Sequence, residues 1–477
     1  MIPELDERAL ARAAELAIEY LRRAPELPVR EEASLDELRA ALRVPLNDAP
    51  LDPSLVVEEL ARAAEPGLVQ IQSGRYFGFV IGGSVDAAIA ADWLASAWDQ
   101  NAGGYPCGPS AAVVEEAVSE WVLDLLGLPR GSGVGLTTGC QMAHFTCLAA
   151  ARNRKLAETG WDVESDGLFG APPVRVIAGA HAHTTVFAAL RMLGFGSNRT
   201  EIVETDDHGR MLPGALARTL RGGVGPAIVI AQAGEVNTGA MDPFGAIADL
   251  VHEHGAWLHV DGAFGLWAAA SPKLRWQVEG VQRAHSWATD GHKWLNVPYD
   301  CGFAIIRDAD AQRAALSSLA GAEYIPPAEH GERYSAEWVP EFSRRARGFP
   351  VYAAIRSLGR SGIAELVERC CSCAQLMASL LAETAGAEVL NEVNLNQVLV
   401  RFTRDGVNVS DEVLRAIQDD GTCWLSGSTW NAEPVVRISV TNWRTTEDDI
   451  RRSAAAIASC LGQPVARLAE STTTSDS

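Results

Sequence analysis

Residues 257–302 read WLHVDGAFGLWAAASPKLRWQVEGVQRAHSWATDGHKWLNVPYDCG. The stretch opens on an apolar run that ends in an acid, Asp261, followed by small residues. That spacing predicts a buried strand, Trp257–Asp261, whose carboxyl end lies where the ligands of parallel sheets gather. Taken alone, such an aspartate equally suits a helix cap or a turn. Thirty-two residues after Asp261 stands Lys293, in His292-Lys293-Trp294, ahead of a second strand-like run, Gly302–Ile306. A lysine among Trp, Leu and Val loses solvation of its charge, which predicts a lowered pKa and a neutral nucleophile able to form an imine. An acid and an amine of this kind suit a pyridine aldehyde: the acid keeps the ring nitrogen protonated and the amine bonds the aldehyde carbon.

The lysine count sharpens this reading. Among 40 basic residues only Lys155, Lys273 and Lys293 are lysines. Arginine serves wherever a positive charge is wanted, but it neither gives up its proton nor forms an imine. Lys155 lies in the polar run RNRK and Lys273 follows Ser-Pro in a turn, so Lys293 is the candidate for amine chemistry.

Working outward, residues from about 80 to 310 alternate helical spacing with short β-branched runs. Strands are predicted at Val134–Thr138, Val174–Ala178, Ala227–Ala231, Trp257–Asp261 and Gly302–Ile306, with helices at 140–153, 183–193 and 243–254. This is the pattern of a mostly parallel sheet with helices on both faces. Helical spacing also covers 4–24 and 53–65. After a Pro- and charge-rich segment at 318–345, a helix at 362–384, strands near 396–402 and 434–440, and a helix at 445–459 predict a smaller α+β domain. The expected division is a helical segment at 1–80 that packs a dimer, a large α/β domain at 81–345, a small C-terminal domain at 346–466 and a disordered tail at 467–477.

The balance of the chain excludes some classes. A net charge of −21 with no basic run argues against a nucleic-acid partner. The most apolar stretch, Val80 to Trp98, is interrupted by Asp86 and Asp92 and reads as a buried helix rather than a membrane span. The N-terminus lacks the basic start and apolar run of a secretory signal, so a cytoplasmic address is expected. Nine cysteines are scattered or, like Cys370, Cys371 and Cys373, sit in apolar helices without a second ligand pair, so no metal site is expected.

Two further elements carry chemistry. GSGVGLTTGCQMAHFTCLAAAR (131–152) is strand, small-residue loop and helix, where backbone N–H groups at a helix start bind phosphate well. Gly-rich turns of this kind are also common as plain structure. GAHAHTTVFAALRMLG (179–194) places His183 at a strand end entering a helix, where the imidazole suits either the face of a pyridine ring or a satisfied core position.

In order and spacing these elements, with SRRARGFPVYAAIRSLGR (343–360), resemble the group II pyridoxal-phosphate decarboxylases, over about Tyr76 to Arg444. The resemblance implies the aspartate-aminotransferase-like fold of pyridoxal-phosphate-dependent transferases, and a homodimer with sites at its interface. It implies Lys293 as the Schiff-base lysine, Asp261 as partner of the ring nitrogen, His183 stacked on the ring and Ala263 on its other face. Gly139 and Cys140 fall where the phosphate is cradled, and Ser286 and His292 near the phosphate and lysine. Asn237 lies near the ring-hydroxyl contact, Tyr76 and Phe77 line the substrate pocket, and Arg437 is a possible contact for the substrate carboxylate.

The chain departs from the family pattern in three places. Asp290-Gly291 stands where many members have Asn-Pro, and Cys140 where a hydroxyl is common. The mobile loop, here 318–342, offers Tyr334 and Tyr324 for the tyrosine that protonates the product. The implied activity is decarboxylation of an L-amino acid, with Tyr76, Phe77 and Trp98 favouring an aromatic one. An aminotransferase, aldehyde synthase or carbon–carbon lyase on the same fold, or a cofactor-binding protein without turnover, are the alternatives.

Overall fold

The computed structural model describes residues 5–317 and 331–462. Tyr324, the first half of the loop at 318–342 and the expected tail at 467–477 lie outside the described residues. Seven strands form the main sheet: β1 (Gly133–Thr137), β2 (Arg175–Gly179), β3 (Thr200–Val203), β4 (Ala227–Gln232), β5 (Trp257–Asp261), β6 (Ser286–Asp290) and β7 (Gly302–Ile306). Their order is β1-β7-β6-β5-β4-β2-β3, and β7 alone runs antiparallel to its neighbours. The carboxyl ends of the parallel strands therefore share one edge, with Gln232, Asp261 and Asp290 as the last residues of β4, β5 and β6.

Alternation along these strands sorts side chains onto two faces. Val176, Ala178, Ile228, Ile230, Ala288, Ala304 and Ile306 pack with helices Cys140–Ala157 and Thr184–Met192. Ile177, Val229, Leu258, Val260, Trp287, Phe303 and Ile305 join the larger core, which includes helices Phe244–Glu253 and Gly348–Ala382. Both faces are covered, which explains the nearly unbroken apolar runs of β4 and β7. The strands β3 and β6 have no counterpart in the sequence reading. SWATD is polar in composition although all five residues are buried, and TEIV forms the partly exposed sheet edge.

A second, antiparallel sheet follows, of β8 (Ala387–Val389), β9 (Gln397–Arg404), β10 (Val407–Asn408), β11 (Ser426–Trp430) and β12 (Glu433–Ser439). The long helix Gly348–Ala382 leads into it and breaks its helical conformation at Gly359 (φ 63°, ψ 176°). The expected start at 362 is thus the second half of a helix that begins earlier.

The stretch expected as a buried helix is the helix Asp86–Trp98, but it buries only Ala88 and Ala95 and leaves Trp93, Leu94 and Trp98 exposed. Near the N-terminus, Asp6 caps the helix Glu7–Arg23 and a Ser34–Glu37 capping box starts the helix Leu35–Leu42. These two helices and Pro53–Ala64 contain no fully buried residue.

Candidate active site

A cavity of about 340 Å³ opens at the carboxyl edge of the main sheet. Gly139, Cys140, His183, Asp261, Ala263, His292, Lys293 and Arg437 all line it. An open groove of about 680 Å³ lies elsewhere, along 238–246 and 276–283, without a comparable convergence of nucleophile, acid and base.

Lys293 follows β6 by three residues, and its Nζ stands 3.1 Å from Asp290 Oδ2. The other Asp290 oxygen accepts from Cys140 N at 2.6 Å, the first residue of the helix Cys140–Ala157. Gly139 makes no side-chain cap of its own, so a carboxylate from a distant strand end caps this helix. Behind Lys293 the backbone turn at Gly82 presses on its carbonyl, where any side chain would collide.

The lysine's charge state corrects the sequence reading. Burial does push the Lys293 ammonium down, but Asp290, with Cys140 and Asp261, outweighs it and holds the pKa above the usual lysine value. The expectation of a lowered pKa counted the apolar neighbours and left Asp290 aside.

Asp261 closes β5 beneath the cavity. Ala263 N donates to its Oδ1 at 3.1 Å, and His144 Nε2 lies 3.5 Å from its Oδ2. Burial raises this carboxyl, yet His144, His183 and Lys293 together hold it well below the usual range, so it is anionic. His183 caps the helix Thr184–Met192 through Nδ1, and burial pushes its pKa below the usual histidine value. His292 accepts from Cys301 N through Nδ1 and stacks on Tyr299 at 4.3 Å.

Arg437, on β12, is 8% exposed. Its Nε finds no acceptor, and it makes no ion pair among the described residues. Burial lowers its pKa while the charge of Glu235 opposes that. A buried guanidinium without a partner beside a cavity is a receptor for an anion.

Several expected residues stand elsewhere. Tyr76 and Phe77 are buried in packing, Tyr76 stacked on Trp424 at 5.3 Å and Phe77 in the main core. Phe79 lines the cavity instead, and Phe79 and Val80 both adopt left-handed backbone (φ 52° and 59°). Trp98 packs on Phe349. Asn237 is held by Glu235 and Ser428 outside the cavity, and Gln232 lines it from the end of β4.

Ser286 begins β6, at the opposite end from Asp290, and bonds Trp257 and His259. Tyr334 is buried against Gly104 and does not line the cavity of its own chain. Its neighbour Ser335 is fastened to Glu115 at 2.6 Å. The sequence reading also passed over Gln141 and Thr185, which line the cavity, and over His144 and His259 beneath it.

Comparison with known proteins adds to this geometry. The family model described as the pyridoxal-dependent decarboxylase conserved domain matches residues 36–403. An aromatic-L-amino-acid decarboxylase of Bacillus atrophaeus is 28% identical over 452 residues, 92% of each chain. An L-2,4-diaminobutyrate decarboxylase of Rhizobium meliloti (strain 1021) is 29% identical over 378 residues, 76% of this chain and 73% of the relative. A crystal structure of Oryza sativa TDC with PLP and tryptamine superposes with a TM-score of 0.89 at 23% identity, covering 97% of this chain and 99% of that one.

Proposed function

The chain belongs to the pyridoxal-dependent decarboxylase family, and from that premise we propose that it removes the α-carboxylate of an L-amino acid as CO2, with Lys293 carrying pyridoxal phosphate. The observation that supports this most directly is the placing of Lys293 Nζ and an anionic Asp261 on one cavity, with an unpartnered guanidinium at its wall.

The residues fit the cofactor. Gly139 leaves open a space that a Cβ would fill against His292 Cε1, and the start of the helix Cys140–Ala157 faces the same place, as a phosphate requires. When bound, the cofactor is an electron sink for the pair left at Cα when the carboxylate departs. In this reading Asp261 would keep the ring nitrogen protonated, and His183 and Ala263 would hold the ring. Lys293 Nζ would be the covalent anchor of the cofactor. Phe79 limits access from the open side.

Asp290 sets the terms of loading. Its carboxylate occupies an amide of the helix start that a phosphate would use, and it keeps Lys293 protonated, whereas bonding the aldehyde needs the neutral amine. Loading therefore speeds up as pH rises toward the raised lysine pKa. The Asp290→Asn variant shifts that profile to lower pH and tightens the cofactor, because the charge that holds Lys293 protonated and opposes the phosphate is gone. Stopped-flow absorbance of the apo protein against pH measures both, and an unmoved profile contradicts this role.

Arg437 supplies the substrate contact, a carboxylate that it orients. The ground for an aromatic substrate weakens, since Tyr76, Phe77 and Trp98 lie outside the cavity, and Phe79 and Phe264 supply the phenyl rings among its described lining residues. The deciding experiment is CO2, amine and aldehyde analysis with every L-amino acid. CO2 with amine from at least one of them is expected; aldehyde or a keto acid as the sole product, or no turnover, rejects the reading. With the substrate so found, Arg437→Met raises KM by about 10- to 100-fold, matching the ~1.5–3 kcal/mol of a charged hydrogen bond, and leaves cofactor content unchanged.

A second copy completes the site in this reading. The helices at 7–64 expose Leu10, Ile18, Leu35, Val56 and Leu60, an apolar face of the kind that protein partners cover. Tyr334, buried against Gly104 and outside the cavity of its own chain, would have to leave that packing to act as the proton donor. Sedimentation velocity should show a dimer, and Leu60→Glu should yield a monomer that still binds the cofactor but no longer turns over. A fully active monomer contradicts this arrangement.

A further inference from the structure

Beneath Asp261 lies a row of buried polar groups that the proposed reaction leaves unused. Trp257, His259 and Asp261 alternate along β5 onto the face covered by the helix Cys140–Ala157. Cys140, His144 and Cys147 form the facing stripe of that helix. His259 pairs in register with Ser286 on β6. Trp257 Nε1 donates to Ser286 Oγ at 2.9 Å, Ser286 Oγ lies 2.9 Å from His259 Nδ1, and His259 Nε2 lies 2.9 Å from His144 Nδ1. The last link, His144 Nε2 to Asp261 Oδ2, is 3.5 Å. Ser286, His259 and His144 are completely buried.

For neutral imidazoles the carboxylate at the end of the row favours one direction of donation. An indole N–H only donates, so Ser286 Oγ accepts from Trp257 and its own proton is free for His259 Nδ1. His259 then donates from Nε2 to His144 Nδ1, and His144 presents Nε2–H to Asp261. Run the other way, the row would turn the His144 Nε2 lone pair toward the Asp261 carboxylate, with only the weak Cys140 thiol donor, 3.4 Å away, to satisfy it. Cys140 Sγ, His144 and Asp261 also bring donor atoms within 4.8 Å of one another, as a metal would need, but both His144 nitrogens already have partners in the chain.

We propose that Trp257, Ser286, His259 and His144 are a one-way hydrogen-bond chain that fixes the His144 tautomer and so holds the Asp261 carboxylate anionic and oriented toward the cofactor's ring nitrogen. His144 and His259 are positioning residues, acting through Asp261. Burial pushes the His259 imidazole down to about 3, which agrees with a neutral ring in this row. Ser286 thus reaches the site from the far end of β6, through two imidazoles rather than by touching phosphate or lysine.

The proposal rests on Asp261 as partner of the ring nitrogen, and one experiment separates the two. Holoenzyme is reconstituted with pyridoxal phosphate labelled with 15N in the ring, and the nitrogen shift is followed against pH. In the parent the nitrogen stays protonated throughout the neutral range. In His144→Phe, His259→Leu and Ser286→Ala it becomes titratable within that range, while His144→Gln, which keeps an N–H toward Asp261, restores most of the parent behaviour. Ser286→Ala removes one hydroxyl and serves where a histidine variant does not fold. If these variants keep the parent shift while Asp261→Asn loses it, the chain is plain packing and the proposal is overturned. If Asp261→Asn also keeps the parent shift, the assignment of Asp261 itself fails.

Discussion

Lys293→Ala loses covalent retention of pyridoxal phosphate and lowers turnover by on the order of 10,000-fold, the upper range for removing a group that acts on the reacting atoms. Gel filtration with absorbance detection reads the first effect and CO2 release the second. The fold should survive, because Asp290 keeps its bond to Cys140 N and capping of the helix is unaffected. Stability should nevertheless fall at neutral pH. A lysine whose pKa is raised in the folded chain stabilises it below the ordinary lysine pKa, and that contribution fades as pH climbs through the raised value. The gap between parent and variant in thermal unfolding should therefore close only in alkali. A variant that holds the cofactor as firmly as the parent after gel filtration would remove Lys293 from the centre of the mechanism.

Asp261→Asn should cost about 1,000-fold in turnover while retaining cofactor on Lys293. The two side chains have nearly the same shape, so the bond from Ala263 N to Oδ1 remains possible and the change is one of charge. Without an anion beneath it the ring nitrogen loses its proton and the ring withdraws electrons less strongly. The buried imidazole of His144 loses its acceptor as well. A single-turnover assay separates this loss from substrate binding; near-parental turnover contradicts the role. The low pKa of Asp261 has its own signature. The carboxylate's contribution to stability is present above the ordinary aspartate range and disappears only in strong acid, so Asp261→Asn should flatten that part of the acid unfolding curve.

The main sheet was legible where apolar runs were long. β5 and β7 were read to the residue, and β1, β2 and β4 to within one or two. The strand β6 was not, because Ser286, Thr289 and Asp290 make it look like loop. The resemblance puts Ser286 near the phosphate and lysine, whereas Ser286 begins the strand that Asp290 ends. Lys293, Asp261, His183, Gly139, Cys140, Ala263, His292 and Arg437 do converge on one cavity, because motifs at strand ends are brought together by the topology of a parallel sheet.

Side chains on irregular backbone were harder to place. Phe79 and Val80 are consecutive left-handed residues, and nothing in the local composition announces that Phe79 lines the cavity while Tyr76 and Phe77 pack elsewhere. The His144–His259 pair was within reach of the sequence. Trp257, His259 and Asp261 stand at alternate positions, and a polar residue at every second place of a buried strand calls for a partner on the covering helix.

The central claim is a covalent bond between Lys293 and pyridoxal phosphate. Borohydride reduction of the cofactor-loaded protein, followed by peptide mass spectrometry, tests it with little background, since Lys155 and Lys273 are the only other lysines. One phosphopyridoxyl group on the peptide that contains Lys293 is the expected result. A label on Lys155 or Lys273 alone, or none on protein that has turned over substrate, would contradict it.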